Sequence, residues 1–193
     1  MNSLAAVILA AGAATRFGSA KQLADIEGKV MLQYLVDCCG SLNSADLYLL
    51  LGANIEEIQS RIKIDKTNII NNTEWQEGIG SSIRLATLEL QNNYDGILFL
   101  AGDQPFVSNG QLDQLINKWR ESPEKICAAK YLDTVGIPAI FPRSTYARLI
   151  LLEGDVGAKK LLSQSAENIQ LMEIPEAAVD IDRPEDLDRT GTI

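Results

Sequence analysis

VILAAGAATRFGSAK (residues 7–21) is the stretch that decides how this chain folds and where its chemistry sits. It begins as an apolar run, passes through a cluster of alanines and glycines, and carries Arg16 and Lys21 with no carboxylate among its residues. The chain around it is acidic: 193 residues hold 17 Lys and Arg against 26 Asp and Glu, a formal net charge of −9. A local exclusion of negative charge in an acidic protein marks a place for an anionic ligand.

Outward from that stretch, the bulk properties narrow the classes of function. With 46% hydrophobic residues, the chain buries a sizeable core, and its length favours a single domain over residues 1–193. The acidic balance argues against nucleic acid or a membrane as partner, since both are held by basic surfaces. The absence of histidine excludes Ser-His and Cys-His catalysis and histidine-ligated metals. Cys38, Cys39 and Cys127 fit neither a disulfide framework nor zinc spacing and read as reduced thiols. No signal-peptide pattern or long apolar span is visible, so a cytoplasmic protein is expected.

Runs rich in Val, Ile and Leu alternate with segments of helical period, which predicts an α/β fold: a mostly parallel, Rossmann-like sheet with helices on both faces. Strands are expected at 4–9, 46–51, 68–70, 96–100, 125–129 and 170–173, with a further strand at 138–141. Helices are expected at 30–39, 55–62, 81–90, 109–119, 144–152 and 156–163, with Trp119 packed against the sheet. In such sheets ligands bind beyond the carboxyl ends of the strands. The loops AAGAATRFG, NNTEWQEGIGSS and AGDQPF follow such ends and are expected to converge on one crevice.

The opening loop is neither of two familiar phosphate binders. Five residues separate Gly12 from Gly18 and Ser19 follows, which fails both the Walker A pattern and the dinucleotide fingerprint. Its residue types still suit a triphosphate. Ala10, Ala11, Gly12, Ala13 and Ala14 leave backbone N–H groups unobstructed, Arg16 offers a planar fork of donors, and Lys21 a mobile point charge.

Asp103 sits between an apolar strand and Pro105, where a carboxylate is placed to ligate Mg²⁺. Two readings stand at Asp182: a second metal ligand, with Asp180 as a weaker substitute, or the cap of a short helix opened by Asp182-Arg183-Pro184-Glu185. Asn72, Gly78, Gly80, Ser81 and Ser82 form a small polar loop in which a base edge can be read, while Ser81 is equally placed to cap the following helix. Asp155 precedes the 156–163 helix and reads first as its N-cap. Trp75 reads as structural.

Six blocks then carry a resemblance that spans nearly the whole chain. L-A-A-G-x-x-x-R-x-G-x-x-K (residues 9–21), NTEWQEGIGSSI, GDQP, GIPAIF, GDVGAKKLL and DIDRPEDL occur in the order found in the nucleotidyltransferases related to the molybdenum cofactor enzymes. GDQP and LAAG resemble the branch of that family that uses CTP. The resemblance implies transfer of CMP from CTP to the terminal phosphate of molybdopterin, with release of pyrophosphate, for maturation of a molybdenum hydroxylase. It implies that Leu9, Ala10, Ala11, Gly12, Arg16, Lys21, Asn72, Gly78, Gly80, Ser81, Ser82 and Asp103 bind the nucleotide. Arg16, Lys21 and Asp103 would act in catalysis, and Asp103 with Asp182 would hold Mg²⁺ or Mn²⁺. Gln104, Gly136, Pro138, Asp155 and Lys159 would border the acceptor, and the hydroxylase or its chaperone would be a transient partner. Nucleotidyl transfer to a sugar or polyol phosphate, or non-catalytic carriage of the cofactor, are the competing readings.

Overall fold

The computed structural model describes residues 2–14, 17–18, 20–64, 67–165 and 168–187. Its strands are β1 (Leu4–Leu9), β2 (Asp25–Ile26), β3 (Lys29–Val30), β4 (Asp46–Leu51), β5 (Asn68–Asn71), β6 (Gly96–Ala101), β7 (Ile126–Tyr131), β8 (Thr134–Pro142) and β9 (Ile169–Glu173). Its α-helices are α1 (Met31–Gly40), α2 (Ile55–Arg61), α3 (Ile79–Leu90), α4 (Asn109–Glu121), α5 (Tyr146–Leu149) and α6 (Ala158–Gln164). Strands β2 and β3 form a small hairpin, and the others build one seven-stranded sheet in the order β5-β4-β1-β6-β8-β7-β9.

β1 is buried along its whole length because both faces of the sheet are covered. Its alternate side chains enter opposite cores. Leu4, Ala6 and Ile8 pack with Leu32 and Leu35 of α1, Ile58 of α2 and Leu112 and Trp119 of α4. Ala5, Val7 and Leu9 pack with Ile83 of α3, Leu149 of α5 and Leu161 of α6. Helices therefore lie on both faces, as the sequence pattern predicts. Trp119 is fully buried against Gly96, where an added Cβ would come within 2.6 Å of its ring.

β1, β4, β5 and β6 run parallel, while β8 is antiparallel to both β6 and β7. The segment expected at 138–141 is thus the second half of a longer strand that occupies an interior position. Pro138 is tolerated there because the β7–β8 register shifts between Ala128 and Ala129, leaving Ile137 and Pro138 outside the paired positions.

The boundaries of α1, α2 and α4 differ from expectation by one or two residues, and those of three other helices differ in ways that bear on the site. α3 starts at Ile79, with Gly78 as N-cap, instead of at 81. α6 starts at Ala158 instead of 156, with Gly157 as N-cap. The 144–152 segment is α-helical only over Tyr146–Leu149. Beyond it Leu151 and Leu152 donate to the carbonyls of Arg148 and Leu149, a 3₁₀-type closure that frees the Leu152 carbonyl for a side chain of α3.

In the order β5-β4-β1-β6 the connections run outward from β1 on one side and return on its other side. A crevice opens where the direction reverses, beyond the carboxyl ends of β1 and β6. Gly102 closes its floor, its N–H donating to the Leu9 carbonyl at 3.0 Å with no room for a side chain against Ala10.

Candidate active site

A cavity of about 430 Å³ occupies that crevice, lined by residues 9–14, Lys21, Gln22, Trp75, Gln76, Gly78, Ile79, Ser82, Gly102, Asp103, Asp155 and Asp182. The three loops singled out in the sequence do converge here. Gln22, Asp155 and Asp182 join them from elsewhere in the chain.

The loop after β1 is held from behind by Gln22, a side chain 3% exposed on the 3₁₀ turn Lys21–Leu23. Its Nε2 donates to the carbonyls of Ala10 (3.1 Å) and Gly12 (2.8 Å), which fixes the path of the loop in the cavity. A Cβ at Gly12 would meet no atom within 4 Å, so the loop presents an open face. Arg16 lies outside the described residues.

Because Lys21 begins the turn that carries Gln22, its side chain enters the cavity floor. Its Nζ donates to Asp103 Oδ2 at 2.9 Å and to Asp182 Oδ1 at 2.7 Å. Burial works against the Lys21 ammonium, but the two carboxylates outweigh it and hold its pKa above the ordinary lysine value. Asp103 and Asp182 are thus brought to the two sides of one cation-sized gap. Their approach has a traceable cause. The buried Gln104 donates to the Ala177 carbonyl at 2.7 Å and the Ile181 N–H to the Asp103 carbonyl at 3.0 Å, tying the C-terminal segment to the turn after β6. Ile181 is itself buried with Ile26 and Met31.

The capping pattern read at Asp182 is filled by another residue. Asp186 Oδ2 accepts the backbone N–H groups of Asp182 (3.1 Å) and Arg183 (2.8 Å), while the Asp182 carboxylate goes to Lys21. Asp180 is exposed and does not line the cavity. Among the described residues no group of three or more His, Cys, Asp or Glu is placed to hold a metal ion. Two hard oxygens facing one gap do suit a divalent cation that completes its shell with phosphate and water.

The opposite wall is the entry to α3. Ser82 lines it, whereas Asn72 and Ser81 lie buried behind and Gly80 is packed on the 153–154 backbone. Asn72 Nδ2 donates to Ser81 Oγ (2.9 Å) and Ser82 Oγ (3.0 Å), and its Oδ1 accepts the Glu74 N–H. Ser81 is not the N-cap. Because α3 begins two residues earlier than expected, its hydroxyl lies within the helix and donates back to the Gly78 carbonyl at 2.8 Å. Asp155 is not an N-cap either, since α6 starts three residues beyond it; its carboxylate lies against Gly78, where a Cβ would meet Oδ1 at 2.5 Å. Trp75 has both roles, packing on Gly52 and lining the cavity.

The remaining residues assigned to the acceptor lie away from this cavity. Gln104 is committed to Ala177, Gly136 and Pro138 sit on β8, and Lys159 is exposed on α6. Sequence reasoning missed Gln22, Glu77 and Arg84. Gln22 follows Lys21 directly, but nothing in its spacing shows that it reaches back to the loop.

Comparison with known proteins identifies the family and the fold. Residues 6–169 match the family described as MobA-like NTP transferase domain. Among curated relatives, the bifunctional protein GlmU of Pseudomonas aeruginosa is 32% identical over 136 residues, 69% of this chain; the chain spans only 29% of that relative's length. Rv0371c of Mycobacterium tuberculosis, solved in complex with manganese, is 25% identical with a TM-score of 0.82, covering 99% of this chain and 100% of that one. Molybdopterin-guanine dinucleotide biosynthesis protein A of Archaeoglobus fulgidus shares the fold at 18% identity and TM-score 0.69, covering 96% of this chain and 95% of that one.

Proposed function

The chain belongs to the MobA-like NTP transferase family, and on that premise we propose that it transfers CMP from CTP to the terminal phosphate of molybdopterin, releasing pyrophosphate. The observation that carries this reading is the Lys21 ammonium bridging Asp103 and Asp182 at the floor of a cavity whose other side is an open, carboxylate-free loop. One floor attracts a cation and the adjoining loop attracts phosphates.

The acceptor is itself a phosphate, already anionic at neutral pH, so a chain without histidine needs no general base. An acceptor phosphate oxygen forms a bond to the α-phosphorus, the bond to the bridging oxygen of pyrophosphate breaks, and pyrophosphate leaves with that electron pair. The protein's part is alignment and charge stabilisation. The Ala10 N–H, expected from the sequence to be free, donates to the Leu50 carbonyl at 2.9 Å, so residues 11–14 cradle the triphosphate by their N–H groups, and Arg16 and Lys21 neutralise the leaving pyrophosphate. Asp103 and Asp182 would hold Mg²⁺ or Mn²⁺, which when bound supplies positive charge at the reacting phosphates. Ser82 and the backbone around Gly78 read the base, with Asn72 and Ser81 fixing the hydroxyls. Asp155 offers acceptors to the amino edge of a pterin.

The choice of CTP is supported by GDQP and by Ala11, a residue of the cavity lining where glycine would leave more room for a purine. One methyl is worth only about 1–3 kcal/mol of discrimination, so the wall at residues 78–82 must contribute.

Pyrophosphate release from the purified protein tests this directly, with CTP or GTP, Mg²⁺ and molybdopterin. Release requires CTP and molybdopterin together. Equal use of GTP removes the donor assignment, release with a sugar or polyol phosphate alone replaces the acceptor, and no release with any pair removes the reading.

A further inference from the structure

One cationic side chain outside the cavity holds two of its walls together. Arg84 lies in the second turn of α3, with its side chain largely enclosed. Its guanidinium grips Glu77 with both arms, Nη1 to Oε1 at 2.8 Å and Nη2 to Oε2 at 2.5 Å, and reaches Glu74 Oε2 at 3.3 Å. The same Nη1 donates to the Leu152 carbonyl at 2.7 Å, across the cavity wall in another loop. Glu77 Oε1 in turn accepts the Gly154 N–H at 3.1 Å, and the Gly154 carbonyl accepts the Gly80 N–H at 2.9 Å. The residue following Gly154 is Asp155, which lines the cavity.

The two walls differ in what else supports them. The helix-entry wall has its own network, with Asn72 bonded to Ser81, Ser82 and Glu74, and Ser81 to Gly78. The 152–155 loop is anchored at its start by the buried Leu152 and its N–H bond to the Leu149 carbonyl, but over 153–155 it has only the Gly80–Gly154 bond and an internal Val156-to-Glu153 bond beside the clamp. Charge sharpens the dependence. Glu74, Glu77, Glu153 and Asp155 crowd this corner, and Arg84 is the cation that contacts two of them. A planar fork with donors left over for a carbonyl is a task that guanidinium performs and ammonium does not.

We infer that Arg84, acting through Glu77, is a positioning residue that holds the Asp155 loop at a set distance from the helix-entry wall and thereby sets affinity for the second substrate, not for the nucleotide. The substrate side of this inference rests on the nucleotidyl-transfer reading above; the mechanical side does not. Loss of the clamp frees the loop and leaves Ser82 and its neighbours in place.

Amide hydrogen exchange and steady-state kinetics on the full chain test the two sides separately. In Arg84→Met, exchange across residues 153–156, and at Gly80 whose N–H donates to Gly154, rises at least tenfold while residues 70–72, 81 and 82 keep their wild-type rates. The KM for molybdopterin rises tenfold or more, whereas the KM for CTP and its Kd, followed by fluorescence of the cavity-lining Trp75, stay within threefold. Arg84→Lys recovers little, because the fork is lost, and Arg84→Met/Glu77→Gln is no worse than Arg84→Met. Unchanged exchange in the loop overturns the clamp whatever the enzyme does. Faster exchange with an unchanged molybdopterin KM reduces Arg84 to a structural residue and overturns its substrate role. A wild type that transfers no nucleotide removes the reaction assigned above, and the exchange result still decides the clamp.

Discussion

Replacing Lys21 by Met should move metal binding and nucleotide binding in opposite directions. In the free protein the Lys21 ammonium fills the gap between Asp103 and Asp182, at 2.9 and 2.7 Å, so a metal entering that gap must displace it. The side chains are 16% exposed for Lys21, 25% for Asp103 and 32% for Asp182, between the surface and buried limits. An exposed pair is worth about 0–1 kcal/mol and a broken buried one about 3–5, so about 1–2 kcal/mol for each contact is a fair working value. At about 1.4 kcal/mol per tenfold change, Lys21→Met should tighten binding of Mn²⁺ to the nucleotide-free protein by about tenfold or more. If Lys21 meets the phosphates as proposed, the affinity of the same variant for CTP should fall. Titration of free Mn²⁺ by electron paramagnetic resonance without nucleotide, beside a CTP titration, reads both signs. The pKa of Lys21 is raised above 10.5, so the ion-pair contribution is complete below that pH and is lost only as pH rises through the higher folded value. A titration near pH 7.5 therefore compares a fixed charge with its absence. Mn²⁺ affinity equal to or weaker than wild type in Lys21→Met would refute the idea that lysine and metal compete for one gap.

Three further expectations follow from the same contacts. Asp182→Ala should raise the Mg²⁺ concentration needed for activity and lower the maximal rate, with Asp182→Asn less damaging; a lowered melting temperature with an unchanged metal titration would make the residue purely structural. Gly78→Ala should destabilise by about 2–4 kcal/mol, seen as a lowered denaturation midpoint, because its φ is +120° and the new Cβ would lie 2.5 Å from the Gly154 backbone. Glu77, held down to about 2 first by Arg84 and then by the Gly154 N–H, contributes stability that is present above its ordinary value of 4.5 and is lost as pH falls toward 2. Acid unfolding of Glu77→Gln should lack that component, and an identical acid profile would show that the pair has no such effect.

Periodicity and loop chemistry determined much of this protein without coordinates. The apolar run of β1 and its alternation with helical segments sufficed for the α/β architecture, because burial on both faces demands such a pattern. Lys21 and Asp103 were legible as residues of the crevice because each follows a strand whose carboxyl end opens on it. What lay beyond the sequence were relations between segments far apart in the chain. Whether Asp182 caps a helix or faces Asp103 depends on Gln104 and Ile181 drawing the C-terminal segment across the turn after β6. Asp155 reads as a cap from local spacing and becomes a cavity wall because the helix behind it starts late and Gly78 leaves it room. Gln22 and Arg84 were not legible for the same reason: their partners are backbone carbonyls and two carboxylates chosen by the folded path of other loops. Local sequence sets which backbone states and faces a segment prefers, whereas a long polar side chain finds its partner only when packing has brought distant segments within about 3 Å.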